Sequence, residues 1–147
     1  VQVLRKQRGF TLVEIVVVIL LISILLGFSV PSLVDVWHQV QADFSIQQLH
    51  RDIRWAQREA VKNQYRMQIT FYPSDRKYVI RRPGNPVNLR KRELKTNLDQ
   101  MEASNIIIEK DKRITRNGHV MLRRGGHERY VYFYQTGRTR ITKAPAE

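Results

Sequence analysis

The sequence predicts an α+β fold: one long N-terminal helix packed on a C-terminal antiparallel sheet. Three observations predict it. An apolar run extends from Phe10 to Val30 with a single charge inside it. Apolar residues then recur at three- and four-residue steps to about Lys62. From Arg66 onward the period drops from about 3.6 to 2, the change that separates helix from strand.

Residues 10–30 would rise about 31 Å as a helix, which matches a hydrocarbon core of about 30 Å. Residues 1–9 carry Arg5, Lys6 and Arg8 and no acid. This bias puts the amino end in the cytoplasm and sends residues 31–147 outward, giving a single-pass protein of the cell membrane with an exported domain. Glu14 is the exception within the run. An acidic side chain in a membrane segment is costly and ordinarily has a partner, yet no cation lies at helical spacing from it on the apolar side.

After Pro31, where a lost backbone hydrogen bond predicts a bend, Leu33, Val36, Trp37, Val40 and Phe44 are followed by Ile46, Leu49, Ile53, Ala56 and Ala60. Asp35, Gln39, Asp43, Gln47, Arg51, Arg54 and Arg58 lie between them, so residues 32–62 read as an amphipathic helix with one wet face. The sheet is expected over residues 66–142. Met67, Ile69 and Phe71 alternate with polar neighbours, Pro73-Ser74-Asp75-Arg76 turns the chain, and Lys77–Arg82 returns with Tyr78 and Ile80 inward. Asn88–Ala103 is charged and without clean period, and reads as a variable loop or short helix. Asn105–Glu109 reads as a strand, and Asn117-Gly118 as a hairpin turn between Ile114 and Val120-Met121-Leu122. Gly125-Gly126 turns the chain again before a strand over Glu128–Tyr134, and Thr136-Gly137 leads into a last strand over Arg138–Thr142.

The 147 residues suit one domain and its anchor. Of the net charge of +13, residues 31–147 carry +11, which implies an anionic partner. Without cysteine, the exported domain has no disulfides. His38, His50, His119 and His127 are scattered, and no nucleophile, metal or phosphate-loop motif is present. No enzymatic activity, metal or cofactor is therefore expected.

Between Arg113 and Lys143 eight cations face one carboxylate. As alternate residues of a strand, Arg138 and Arg140 project from one face about 7 Å apart. That suits bidentate contact with a phosphate backbone. Lys143, Arg123, Arg124 and Arg129 are expected to add to this DNA-binding face, with Tyr130, Tyr132 and Tyr134 as possible stacking surfaces.

The basic leader, Gly9-Phe10-Thr11-Leu12-Val13-Glu14 and the apolar run behind it resemble the amino terminus of the type IV pilin and pseudopilin family. The resemblance covers the first third of the chain. It implies that a prepilin peptidase cuts between Gly9 and Phe10 and methylates the new amino terminus. It also implies that Glu14 serves assembly by meeting the α-amino group of Phe10 in a neighbouring subunit. The ending Arg129-Tyr130-Val131-Tyr132-Phe133-Tyr134-Gln135-Thr136-Gly137-Arg138-Thr139-Arg140-Ile141 is similar to the last strand pair of the GspH/FimT group of minor pilins, which includes the competence pseudopilins. The combined expectation is a minor pseudopilin of a competence pilus machinery that binds incoming DNA without reading its sequence. Its partners would be other pilins of the filament, the peptidase, the membrane and DNA. The alternative is a structural minor pseudopilin of a type II secretion system or a surface pilus. A third class, an anchored binder of lipid or cell-wall polyanion, accounts for the charge but not for Glu14.

Overall fold

The computed structural model describes residues 10–101 and 105–145, with backbone alone at 28–32 and 98–101. Helix α1 runs Leu12–Asn63 and ends at Gln64, whose left-handed backbone (φ 55°) makes the cap that stops a helix. Strands β1 (Met67–Tyr72), β2 (Lys77–Arg81), β3 (Asn88–Glu93), β4 (Asn97–Met101), β5 (Asn105–Ile108), β6 (Gly118–Arg124), β7 (His127–Phe133) and β8 (Thr139–Thr142) follow. They form two antiparallel sheets, ordered β3-β2-β1-β5 and β4-β6-β7-β8. The α+β expectation holds, with the strands divided between two sheets.

Contacts separate two compact units, Val1–Val36 and Trp37–Glu147. In the second, Ile46, Leu49, Ile53, Ala56 and Ala60 form the buried stripe of α1. Against it pack Ile69, Tyr78 and Ile80 of one sheet and Val120, Leu122, Val131 and Phe133 of the other. The stripe before it behaves differently. Leu33, Val36, Trp37, Val40 and Phe44 are all exposed, because the step of two residues from Phe44 to Ile46 turns the helix by about 200° and carries the apolar positions to the opposite side. What the sequence presents as one stripe is two.

In the first unit, residues 12–27 rise about 24 Å as helix. Among the described residues no helix is long and apolar enough to cross a membrane. The apolar sequence continues to Val30, so the span expected over 10–30 is longer than the stretch whose side chains are described.

Two further expectations are corrected. The segment expected as a loop or short helix over 88–103 contains β3 and β4. β3 is an edge strand exposed along most of its length, so no buried face imposed a period on its sequence. It is held by backbone pairing to β2 and by Arg90 and Arg92, which share one face and reach Asp52 of α1. Asn117-Gly118 is not a hairpin turn. Ile114 makes only a single bridge, to Ile108, while Gly118 begins β6, which pairs with β7 and β4. Asn117 instead accepts the Gln135 N–H on its Oδ1 at 2.7 Å.

Candidate nucleic-acid interface and amino-terminal motif

β7 and β8 are joined by a tight loop. Gly137 N–H donates to the Tyr134 carbonyl at 2.8 Å, and Tyr134 N–H donates to that of Arg138 at 3.0 Å. Gly137 has φ +81°, a conformation that costs an L side chain about 1–2 kcal/mol. The loop is clamped to α1 by the buried Gln57, whose Nε2 donates to the carbonyls of Gly137 (2.7 Å) and Lys112 (3.1 Å). His50 Nε2 meets Thr139 Oγ1 at 2.8 Å. Burial, and secondarily the charge of Arg54, hold the His50 pKa below the usual imidazole range, so it is a neutral partner for the threonine.

Thr139 and Ile141 thus turn inward, while Arg138 and Arg140 stand exposed, as the alternation predicts. Both line a cleft of about 780 Å³ together with Arg54, Asn117 and Tyr134. A second cleft of about 370 Å³ shares Arg54 and Arg138 and adds Arg58 and Lys112. Among the described residues, neither is lined by a carboxylate. The helix cations were legible only as a wet face, because their approach to Arg138 is made by the fold.

The remaining cations expected at this face lie elsewhere. Arg129 is only 5% exposed and faces inward, where its Nε and Nη2 donate to the Asp43 carboxylate. Its hydrogen bond is the main reason the Asp43 pKa lies below the usual range. Arg129 is thus an internal tie between β7 and α1, not an accessible DNA contact. Arg123 pairs with Glu128 at 2.7 Å, and Arg124 donates to the Lys95 carbonyl at 2.9 Å. Lys143 is exposed beyond the far end of β8, near enough to Asp43 to act on its charge. None of these four lines the cleft of Arg138 and Arg140. Tyr130 is buried and its ring lies 6.2 Å from that of Tyr132, with His119 beside both. Tyr134 alone of the three tyrosines lines the cleft. Among the described residues no group of His, Asp and Glu could hold a metal ion.

Gly137→Ala is expected to lower the Tm by several degrees, since the added Cβ would stand 2.6 Å from the Lys112 carbonyl oxygen in addition to the backbone strain. Thermal unfolding followed by circular dichroism checks this. An unchanged Tm would mean that the loop is not held against its neighbour.

At the other end of the chain Gly9 lies outside the described residues, and Phe10 is exposed ahead of the helix. Thr11 caps α1: its Oγ1 accepts the Glu14 N–H at 3.2 Å, and its carbonyl accepts that of Ile15. Thr11-Leu12-Val13-Glu14 therefore has the spacing of a capping box, which places a carboxylate in the first helical turn where the helix dipole favours it. The Thr-x-x-Glu pattern at Thr11–Glu14 is the signal in the sequence for this cap.

Residues 4–30 match the prokaryotic N-terminal methylation motif. No curated protein sequence matches the chain. Among solved structures, it is similar to the type IV minor pilin FimU of Pseudomonas aeruginosa, with a TM-score of 0.58 at 14% identity over 68% of this chain and 91% of that one. It is also similar to the minor pseudopilin EpsH of the type 2 secretion system of Vibrio cholerae, with a TM-score of 0.57 at 14% identity over 70% and 97% of the two chains. At such identity the likeness is one of fold. The chain thus joins a prokaryotic N-terminal methylation motif to the type IV pilin-like fold that FimU and EpsH share.

Proposed function

We propose that this protein is a minor pseudopilin of a competence-type DNA-uptake filament. A prepilin peptidase cuts between Gly9 and Phe10, residues 10–30 anchor the chain in the cell membrane with its amino end in the cytoplasm, and Glu14 guides entry among the other pilins. The exposed stripe of Leu33, Val36, Trp37, Val40 and Phe44 supports packing against neighbouring subunits. The exported domain then captures DNA by its backbone. One observation carries the DNA reading: Arg54, Arg138 and Arg140 converge on a cleft that no carboxylate lines among the described residues. The role is one of assembly and binding, not catalysis. The likeness to FimU and EpsH equally supports a second reading, a structural minor pilin or pseudopilin without DNA binding.

Titration of the chain in nonionic detergent with duplex DNA across salt concentrations separates the two. Each phosphate contact contributes about −0.9 to the slope of log affinity against log salt, so Arg138→Gln with Arg140→Gln should flatten the slope by up to about 1.8. Unrelated sequences should lose affinity alike. No binding by the parent chain at low salt, or an unchanged slope in the folded double variant, leaves the structural reading.

A further inference from the structure

We propose that the DNA path does not end at β8 but crosses α1 and enters a third cleft on its other side, between α1 and β3. This inference rests on the DNA-capture reading and extends it. The third cleft, of about 390 Å³, is lined by Arg51, Arg58, Arg90, Arg92, Trp55 and Asp52 among others. Arg58 belongs both to it and to the cleft that holds Lys112 and Arg138, and Arg54 joins that one to the cleft of Arg140. The three hollows therefore form a chain linked through side chains of one helix. Arg51, Arg54 and Arg58 are exposed at spacings of three and four residues, so they stand in one row over about 10.5 Å of helix rise.

Among the described residues, Asp52 is the one acid lining any of the three clefts, against eight cations. It is buried and already bonded by Tyr78, Arg90 and Arg92, so it offers little repulsion to an incoming phosphate. Neighbouring positions of the row rise only about 4.5 and 6 Å along the helix, less than the Debye length of about 8 Å at physiological salt, so their fields merge along the path. The cations are set in concavities, which a strand can enter and a flat lipid surface cannot. Contact is principally with the backbone, although the exposed Phe44 and Tyr134 also line the path. The Trp55 ring is covered by the Arg90 guanidinium, 3.9 Å from its centroid, and Tyr130 is buried.

The test compares salt slopes on duplex DNA for the full chain in nonionic detergent. The variants are Arg51→Gln with Arg58→Gln, Arg138→Gln with Arg140→Gln, and all four together. Glutamine is a good helix former and both helix positions are exposed, so folding should be kept, as circular dichroism would verify. The expected result is a flattening by up to about 1.8 for each pair and up to about 3.6 for the four. If the Arg138 and Arg140 pair matters while the Arg51 and Arg58 variant keeps parental slope and affinity, the path ends at β8 and the extension is wrong. If the parent chain does not bind DNA at all, the capture reading falls with it. Tighter binding to phosphatidylglycerol vesicles than to DNA, lost in the Arg51 and Arg58 variant, would overturn the proposal in favour of a membrane surface.

Discussion

Asp52→Ala is expected to destabilise the Trp37–Glu147 unit by about 3 kcal/mol, a fall in Tm of roughly 6–12 °C. The carboxylate is 4% exposed; it accepts the Tyr78 hydroxyl and Arg90 Nη1, each at 2.8 Å, and Arg92 Nε at 3.3 Å. Alanine leaves all three donors unanswered. The two guanidinium groups are partly exposed and can recover water, but Tyr78 is buried beside Phe71 and cannot. Burial, then the charge of Asp52, hold the Tyr78 pKa far above the usual phenol range, so it remains a donor throughout the accessible pH range. An orphaned buried hydroxyl costs about 1–3 kcal/mol by itself, and the loss of the tie between α1 and β3 adds to it. Asp52→Asn, which keeps an acceptor for Tyr78, should lose clearly less. Thermal unfolding in nonionic detergent reads both, and a fall of less than about 2 °C for Asp52→Ala would contradict this account.

Glu14→Val should still be cut between Gly9 and Phe10 yet enter filaments poorly. Losing one member of a charge pair in a low-dielectric setting costs roughly 3–5 kcal/mol, equivalent to at least a hundredfold in a subunit's association constant. The cap itself survives, because the contact to Thr11 Oγ1 comes from the backbone N–H of residue 14. Glu14→Gln separates the two roles further, since it retains a capping-box side chain without the charge. Mass spectrometry of membrane extracts reports the cut, and co-purification with sheared filaments reports assembly. Parental recovery of Glu14→Val in filaments would reject the pairing role, and an intact leader in cells with an active prepilin peptidase would reject the processing site.

Legibility followed burial. The stripe from Ile46 to Ala60, the β1–β2 hairpin and the Gly125-Gly126 turn could be read because each has a buried face or a required backbone conformation that leaves a local trace. β3 left none: as an exposed edge it is specified by pairing to β2 and by Asp52, 38 and 40 residues away from Arg90 and Arg92. The same reason misplaced Arg129. Its inward direction follows from the register that opposes it to Leu122, and its partner Asp43 is 86 residues distant. Arg138 and Arg140 were legible as an exposed pair from strand alternation alone, but their company in the cleft was not. Arg54 reaches it through the docking of the last hairpin on α1 by Gln57 and His50.

Two of the four sheet edges, β3 and β8, are short strands of six and four residues that carry or adjoin clustered cations; β5 and β4 are the other two. A bare edge offers its backbone groups to any second copy of the same edge. Here such an approach would set Arg90, Lys91 and Arg92, or Arg138, Arg140 and Lys143, against their own likenesses. Mutual repulsion thus guards these two edges against stacking into aggregates. Its reach is set by the same ionic screening that governs phosphate binding. Under the DNA-capture proposal, salt high enough to release nucleic acid would therefore also lower the barrier that keeps these two edges of one molecule from those of another.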